Sequence, residues 1–251
     1  MSGHSKWSSI KHQKGAADAK RGQLFTKLTR EIIVSVRQGG SDADTNYRLR
    51  LAIQKASDSN MPYENIDRAI KRGSGESEGA ALVELALEGY GPSGAAIIVH
   101  AVTDNRNRTL QDIRNIFSRH GGNLGESGCV AWLFDSKGAI TIDASNLDKE
   151  DLELKAIDAG ADDVKVEDSY LEIYTKPEDL ETVRKGLEHQ EIPVTSSGIS
   201  SIPKTTVQLE EKAALTTLKL LEKLEELEDV HRVTSNVDFP DTIVEKYHSQ
   251  S

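Results

Sequence analysis

The spacing of apolar residues changes from a helical to an alternating pattern near residue 80. Within residues 18–37, apolar side chains recur at steps of three and four, at Leu24, Phe25, Leu28, Ile32 and Val36. At 100° per residue this spacing predicts an amphipathic helix, with Lys27, Arg30 and Arg37 within about 80° of one another on its polar side. Two shorter helices are predicted at 46–57 and 62–71. Together these elements predict a small three-helix domain at residues 1–76.

A segment rich in Gly and Ser at 73–79 is typical of a linker, and strands are predicted after it. The elements predicted downstream are a hairpin of strands at 82–88 and 95–102, a helix at 110–119 and a strand at 130–134. This order, β-β-α-β, leaves a sheet that lacks one helix and one strand. The missing pair is predicted near the end of the chain, as a helix at 210–228 and a strand at 232–237.

The intervening residues, 138–202, have the complete order β-α-β-β-α-β that is typical of ferredoxin-like folds. A capping box formed by Thr175 and Glu178 is predicted to open its second helix, at 177–189. The predicted fold is therefore α+β, with a three-helix domain followed by two ferredoxin-like α/β domains, the last inserted within the middle one. The predicted domains are a basic helical domain at 1–76, a discontinuous α/β domain at 80–136 plus 204–240, and an inserted α/β domain at 137–203.

The formal net charge of −10 conceals a strong partition along the chain. Residues 1–72 contain 14 Lys and Arg against 7 Asp and Glu, whereas the remaining 179 residues contain 17 against 34. Residues 1–37 alone contain eight basic residues, opposed by Asp18 and Glu31. Such an asymmetry indicates a polyanionic partner at the basic end. The acidic α/β domains would be repelled by nucleic acid and are candidates for binding a protein partner.

Several classes of protein are disfavoured by composition. No apolar run approaches the ~18 residues that a membrane-spanning helix needs, so no membrane partner is expected. The single cysteine, Cys129, excludes a disulfide scaffold and a zinc site built on several cysteines. The first residues also lack the apolar region of a secretory signal, and we expect a cytoplasmic location.

No cluster of residues in the sequence indicates catalysis. Residues 89–94 match G-x-G-x-x-G, but a strand rather than a helix follows them and Pro92 lacks an N–H group, so a hairpin turn is predicted. The histidines, including His100 within an apolar strand, lack the spacing of metal ligands. Cys129 has no basic neighbours and is predicted to be a small buried residue. We therefore predict no catalytic residue, metal site or cofactor.

The N-terminal segment has the composition of a nucleic-acid contact. Lys6, Lys11 and Lys14 lie three to five residues apart around Trp7. Closely spaced cations gain affinity by displacing counterions from a phosphate backbone, and an indole can stack on an unpaired base. The alternative is a solvated basic tail with Trp7 packed on the helices.

The sequence resembles the opening signature of the YebC/PmpR family. The matching residues are Gly3-His4-Ser5-Lys6-Trp7, Ile10-Lys11, Lys14, Asp18-x-Lys20-Arg21 and Phe25-x-Lys27-Leu28-x-x-Glu31-Ile32. Later segments also match, among them Met61-Pro62, Glu88-Gly89-Tyr90-Gly91-Pro92 and Asn105-Arg106. The resemblance implies one helical and two α/β domains. It also implies nucleic-acid contacts at the basic signature positions, and with the helix pattern the candidate residues are Lys6, Trp7, Lys11, Lys14, Lys20, Arg21, Lys27 and Arg30.

The resemblance implies a non-enzymatic regulator of gene expression, with two alternative partners. Members of this family include regulators that bind promoter DNA, and others, such as the mitochondrial translational activator of cytochrome oxidase, that act with the ribosome in the synthesis of proline-rich stretches. In a helix-turn-helix arrangement the recognition helix would be 63–71, which has Glu64 and Asp67 near its start and is poorly suited to reading bases. A flexible basic arm with a tryptophan suits ribosomal RNA at least as well. A protein-interaction scaffold is the remaining alternative.

Overall fold

The structure of the chain is a computed structural model that describes residues 18–76, 81–145, 147–166 and 170–250, without the side chains of residues 18–20, 241, 248 and 250. The helices are α1 (Asp18–Gly39), α2 (Tyr47–Asp58), α3 (Tyr63–Gly73), α4 (Arg106–Arg119), α5 (Lys149–Asp158), α6 (Leu180–His189), α7 (Glu211–Glu226) and α8 (Asp241–Gln250). The strands are β1 (Val83–Tyr90), β2 (Ala96–Thr103), β3 (Asn123–Leu124), β4 (Phe134–Asp143), β5 (Asp163–Val166), β6 (Tyr170–Thr175), β7 (Val194–Pro203), β8 (Val207–Gln208), β9 (Val230–Ser235) and β10 (Val237–Asp238).

The chain divides into two compact units. The larger unit contains the described residues up to Phe134 and from Pro203 onward, and the smaller unit is Asp135–Ile202. Among the described residues, three helices precede the sheets, so the predicted fold class is confirmed. Within the larger unit we propose the boundary given above, with the helical domain ending at residue 76 and the discontinuous α/β domain beginning at residue 80.

Helices α1, α2 and α3 pack around a small apolar core. Leu28 and Ile32 of α1 are buried against Leu49 of α2 and Ile66 of α3. Asn46 caps α2, because its side-chain oxygen accepts a hydrogen bond from the Leu49 N–H while its Nδ2 donates to the carbonyls of Ser35 and Gly40. The polar loop between α1 and α2 is therefore fixed by one buried side chain.

The sheet of the larger unit has the strand order β3-β1-β2-β9, and its ladders are antiparallel. Helices α4 and α7 pack on one face, where Ile97 and Val99 of β2 meet Phe117 of α4 and Leu221 of α7. The two central strands, β1 and β2, form one hairpin, and the last helix and strand come from the far end of the chain. Helix α7, predicted at 210–228 as part of this domain, thus lies on the sheet with its leucines in the core.

The smaller unit is a complete ferredoxin-like layer. Its strands have the order β5-β6-β4-β7, with β6 antiparallel to both β4 and β5. Buried Ile140 and Ile142 of β4 lie beside Leu171 and Ile173 of β6. The strand and helix order in residues 138–202 is therefore confirmed.

The strand predicted at 130–134 is wrong. Residues Ala131–Leu133 form a 3₁₀ turn, and the strand that pairs with β1 is the short β3. The reason is the buried Glu88 carboxylate, which accepts hydrogen bonds from the N–H groups of Gly128, Val130 and Ala131. Donors that bind a carboxylate cannot join a strand ladder, so an apolar run with strand-like composition becomes a turn.

Two other local features differ from the sequence predictions. The capping box of Thr175 and Glu178 is wrong, because α6 begins only at Leu180 and the Thr175 hydroxyl donates to the Lys176 carbonyl. The sequence analysis also missed α8, which buries Ile243 and Tyr247 against the core of the larger unit. Among the described residues, no helix is both long and apolar enough to span a bilayer.

Candidate nucleic-acid interface

The residues predicted to bind nucleic acid fall into three groups. Lys6, Trp7, Lys11 and Lys14 lie outside the described residues, as does the side chain of Lys20 in the first turn of α1. Arg21 is exposed at the same end of α1, and its guanidinium carbon lies 5.4 Å from the centroid of the Phe25 ring. The face of the ring attracts the guanidinium electrostatically, and Arg21 remains accessible to solvent.

Lys27 and Arg30 point into the fold. The Lys27 ammonium donates to the Glu225 carbonyl in the last turn of α7. Arg30 donates from Nη1 to the Glu228 carbonyl at 3.1 Å and to Asp229 Oδ1 at 2.6 Å. Carbonyl groups at the C-terminal end of a helix carry partial negative charge, so this end of α7 is a natural binding place for two cations. Both side chains therefore join α1 to α7 and the residues that follow it.

Asp229 is the centre of a buried polar cluster. Besides Arg30, its carboxylate accepts hydrogen bonds from the hydroxyls of Thr103 and Thr109 and from Arg108 Nη2 at 3.0 Å. Burial alone would raise the pKa of Asp229, but these donors and the Arg30 charge hold it below the ordinary aspartate value. The sequence analysis missed this cluster because its members come from α1, β2, α4 and the loop before β9.

A second polar contact joins α1 and α2 to the strands of the same unit. Arg48 of α2 forms an ion pair with Glu84 of β1, which also accepts a hydrogen bond from Gln38. Glu31 pairs with Lys55 at 3.0 Å. Burial would raise the pKa of Glu31, but Lys55 holds it below the ordinary value. Gln38 and Arg48 of the helical domain are thus bound to β1.

His231 of β9 gives this contact a pH dependence. Burial is the main reason that the pKa of His231 falls from 6.5 to about 4. The negative charge of Glu31 opposes this shift, whereas the positive charges of Lys55, Lys27 and Arg30 add to it. The neutral ring is therefore favoured in the folded chain, so its contribution to stability is present above pH 6.5 and is lost as the pH falls toward 4. Between pH 7 and pH 5, the wild type should lose about 2 kcal/mol more unfolding free energy than the His231→Gln variant.

Urea unfolding at the two pH values measures this effect. The matched control is His189→Gln, since His189 is exposed at the end of α6. An equal loss for wild type and His231→Gln would contradict the prediction.

A shallow hollow lies beside the Asp229 cluster. It has a volume of about 270 Å³ and is lined by residues of α1, by Arg72 at the end of α3, and by Leu82 and Asp104. Phe25, Thr29 and Arg30 form the α1 side. A neighbouring hollow of about 300 Å³ shares Arg30 and Asp104 and continues to Arg108.

Neither Cys129 nor His100 has its pKa shifted toward a reactive form. Burial is the main reason that the pKa of Cys129 is raised and that of His100 is lowered, so the thiol and the neutral ring are favoured. Cys129 is half-buried beside the Glu88 carboxylate, which raises its pKa further. Within the described part of the chain, no group of three or more His, Cys, Asp or Glu residues could hold a metal ion.

Comparison with known proteins agrees with this architecture. A family model described as the TACO1/YebC protein N-terminal domain matches residues 5–76, and one described as the TACO1/YebC second and third domain matches 82–237. A protein of Dehalococcoides mccartyi named as a probable transcriptional regulatory protein is 59% identical over all 251 residues of both chains. One with the same description from Natranaerobius thermophilus is 50% identical over 98% of this chain and 99% of its own.

A solved structure has the same fold. The crystal structure of a conserved hypothetical protein from Aquifex aeolicus is 49% identical to this chain and superposes with a TM-score of 0.86. The match covers 92% of this chain and 96% of the other.

Proposed function

Because the chain belongs to the TACO1/YebC family, we propose that it is a non-enzymatic, nucleic-acid-binding regulator of gene expression, and that DNA is its partner. The observation that carries this proposal is the distribution of charge. Residues 1–37 hold eight basic residues against two acidic ones, whereas the unit at 135–202 holds 17 acidic against 7 basic residues. A polyanion would therefore approach the basic end and be repelled by the smaller unit. The names of the relatives, which describe them as probable transcriptional regulatory proteins, support the same role.

In this proposal the predicted contact residues have two roles. Lys6, Lys11, Lys14, Lys20 and Arg21 bind phosphate, and Trp7 is available for stacking on a base. Lys27 and Arg30, for which contact with phosphate was also predicted, instead hold α1 against the end of α7, because their donors are engaged there.

The test is a set of binding titrations with duplex promoter-length DNA at two salt concentrations. If five phosphates are neutralised, log K should fall against log salt with a slope near −4.5. Replacing Lys6, Lys11 and Lys14 together by Ala should reduce the slope to about −1.8 and weaken binding on the order of a hundredfold. Equal binding by wild type and this variant would contradict the proposal.

A matched control removes the same charge elsewhere. Lys176, Lys212 and Lys219 are exposed and lie far from the basic segment in sequence, so their triple Ala variant should bind DNA within about twofold of wild type. Parallel titrations with purified ribosomes address the alternative partner. Tight ribosome binding that the N-terminal triple variant abolishes, with only weak and sequence-blind DNA binding, would make the chain a translation factor instead.

A protein-binding role is the second candidate function. Leu154 and Ile157 of α5 are 64% and 54% exposed on a helix that also carries Glu150, Asp151 and Asp158. An exposed apolar pair among acidic residues suits a basic, apolar segment of another protein. This role would survive the N-terminal triple variant, and the charge variant Leu154→Glu would abolish it.

A further inference from the structure

Arg72 has an environment that is unusual for an arginine. It lies near the end of α3, its Nε is buried without a hydrogen-bond partner, and its guanidinium forms no ion pair with the described residues. The adjacent Lys71, by contrast, is exposed and pairs with Asp67 at 2.7 Å. The residue as a whole is half-buried, but a buried N–H donor without an acceptor costs free energy, and an anion bound at Arg72 would supply that acceptor.

Packing keeps Arg72 in this position. A Cβ at the next residue, Gly73, would lie 2.6 Å from the Val36 Cβ and 3.0 Å from the Ile33 carbonyl oxygen. The glycine thus allows the end of α3 to approach α1 closely, which sets the Arg72 backbone beside the hollow that its side chain lines. This contact fixes the backbone at the start of the Arg72 side chain, so the side chain begins at the edge of the hollow.

The hollow offers further groups suited to an anion. Thr29 lines the hollow, and a threonine hydroxyl can donate a hydrogen bond to an anion. The acidic residue of the lining, Asp104, is countered by Arg108, which donates to it at 2.9 Å. Arg30, on the same wall, is balanced by Asp229. Arg72 therefore supplies the uncompensated charge of the hollow.

Arg21 extends the positive charge toward the basic segment. Its guanidinium lies over the ring of Phe25, and the same ring forms part of the wall of the hollow. A chain of phosphates bound by Arg21 would therefore pass the mouth of the hollow.

We propose that this hollow binds a phosphate group of the nucleic-acid backbone, with Arg72 as the principal donor and Thr29 as a second donor. The inference rests on the proposed function and adds to it a contact outside the N-terminal signature. Such a contact fixes the position of the nucleic acid on the helical domain without reading its bases.

The test compares Arg72→Gln with Lys71→Gln in the full chain. Both variants lose one positive charge at neighbouring positions, but only Arg72 lines the hollow. We expect Arg72→Gln to weaken binding to duplex DNA by about five- to tenfold and to reduce the salt slope by about 0.9, whereas Lys71→Gln changes affinity less than about twofold. Equal effects of the two variants, with wild-type binding intact, would overturn the inference and leave the proposed function standing.

A folding measurement separates a binding role from a structural one. Since Arg72 has no partner within the described residues, Arg72→Gln should unfold in urea at the same midpoint as wild type or at a higher one. A clearly lower midpoint would mark Arg72 as a structural residue and overturn the inference.

Inorganic phosphate distinguishes the two sources of the anion. If phosphate raises the Tm of wild type but not of Arg72→Gln, relative to sodium chloride at equal ionic strength, while both bind DNA equally, the hollow is a site for free phosphate and the nucleic-acid assignment is overturned. If wild type binds neither DNA nor ribosomes, the proposed function fails and the inference fails with it.

Discussion

Replacing Glu88 by Ala is expected to lower the free energy of unfolding by about 3–5 kcal/mol. Glu88 is 6% exposed, and its carboxylate accepts hydrogen bonds from the N–H groups of Gly128 at 2.7 Å, Val130 at 2.8 Å and Ala131 at 2.7 Å. Alanine would leave these three N–H groups without the acceptor that binds them. Urea unfolding at pH 7 measures the loss.

The same carboxylate predicts a dependence on pH. Burial alone would raise the pKa of Glu88, but the three backbone N–H groups hold it below the ordinary value of 4.5. A carboxyl group with a lowered pKa in the folded chain stabilises it above pH 4.5, and this stabilisation disappears as the pH falls through the folded pKa. The difference between wild type and Glu88→Ala should therefore shrink in acid.

Glu126 provides the control for this variant. It lies on the same loop, is exposed, and Glu126→Ala should change the free energy of unfolding by less than about 0.5 kcal/mol. Similar losses for the two variants at pH 7 would show that the loop is held by some other interaction.

Replacing Asp229 by Ala should cost about 3–4 kcal/mol, because the change leaves Arg30 without its buried partner. The Arg30 side chain is 15% exposed and that of Asp229 10% exposed, so water cannot fully replace the lost carboxylate. Glu228 offers a matched comparison, since its side chain is 52% exposed and accepts a hydrogen bond from the same arginine at 3.1 Å. Glu228→Ala should cost less than about 1 kcal/mol.

A double-mutant cycle of Arg30 and Asp229, measured by urea unfolding, isolates their interaction. The coupling free energy should be at least about 1.5 kcal/mol, as for a hydrogen-bonded pair largely shielded from water. A coupling near zero, or equal losses for Asp229→Ala and Glu228→Ala, would contradict the assignment of Asp229 as the anchor of α1.

The helices and the inserted layer could be predicted from sequence because their signals are local. The spacing of Leu28, Ile32 and Val36 is contained within α1, and the order of elements in residues 138–202 is contiguous. The strand prediction at 130–134 was wrong because a residue distant in sequence determines the local structure. Its apolar composition suits a strand, but the Glu88 carboxylate that claims its N–H groups lies about forty residues earlier.

The candidate site was predictable only in part. Periodicity assigned Lys27 and Arg30 to the polar side of α1, but it could not show that this side is covered and that both residues are half-buried. The partners of Arg30 lie almost two hundred residues away in sequence, at Glu228 and Asp229. Likewise, Arg72 could not be identified from sequence as a candidate phosphate-binding residue. Its role is inferred from the packing of α3 on α1 and from an Nε without a hydrogen-bond partner, and neither feature has a sequence motif.

The position of β9 has a consequence for synthesis on the ribosome. This strand completes the sheet by pairing with β2, where Ile97 lies opposite Ser235. The discontinuous α/β domain therefore lacks one edge strand until nearly the whole chain has emerged from the ribosome. The inserted layer, residues 135–202, contains all its own strands and can fold while its host is still unfinished. Asp229 emerges just before β9. The ion pair between Arg30 of α1 and Asp229 can therefore form only late in synthesis.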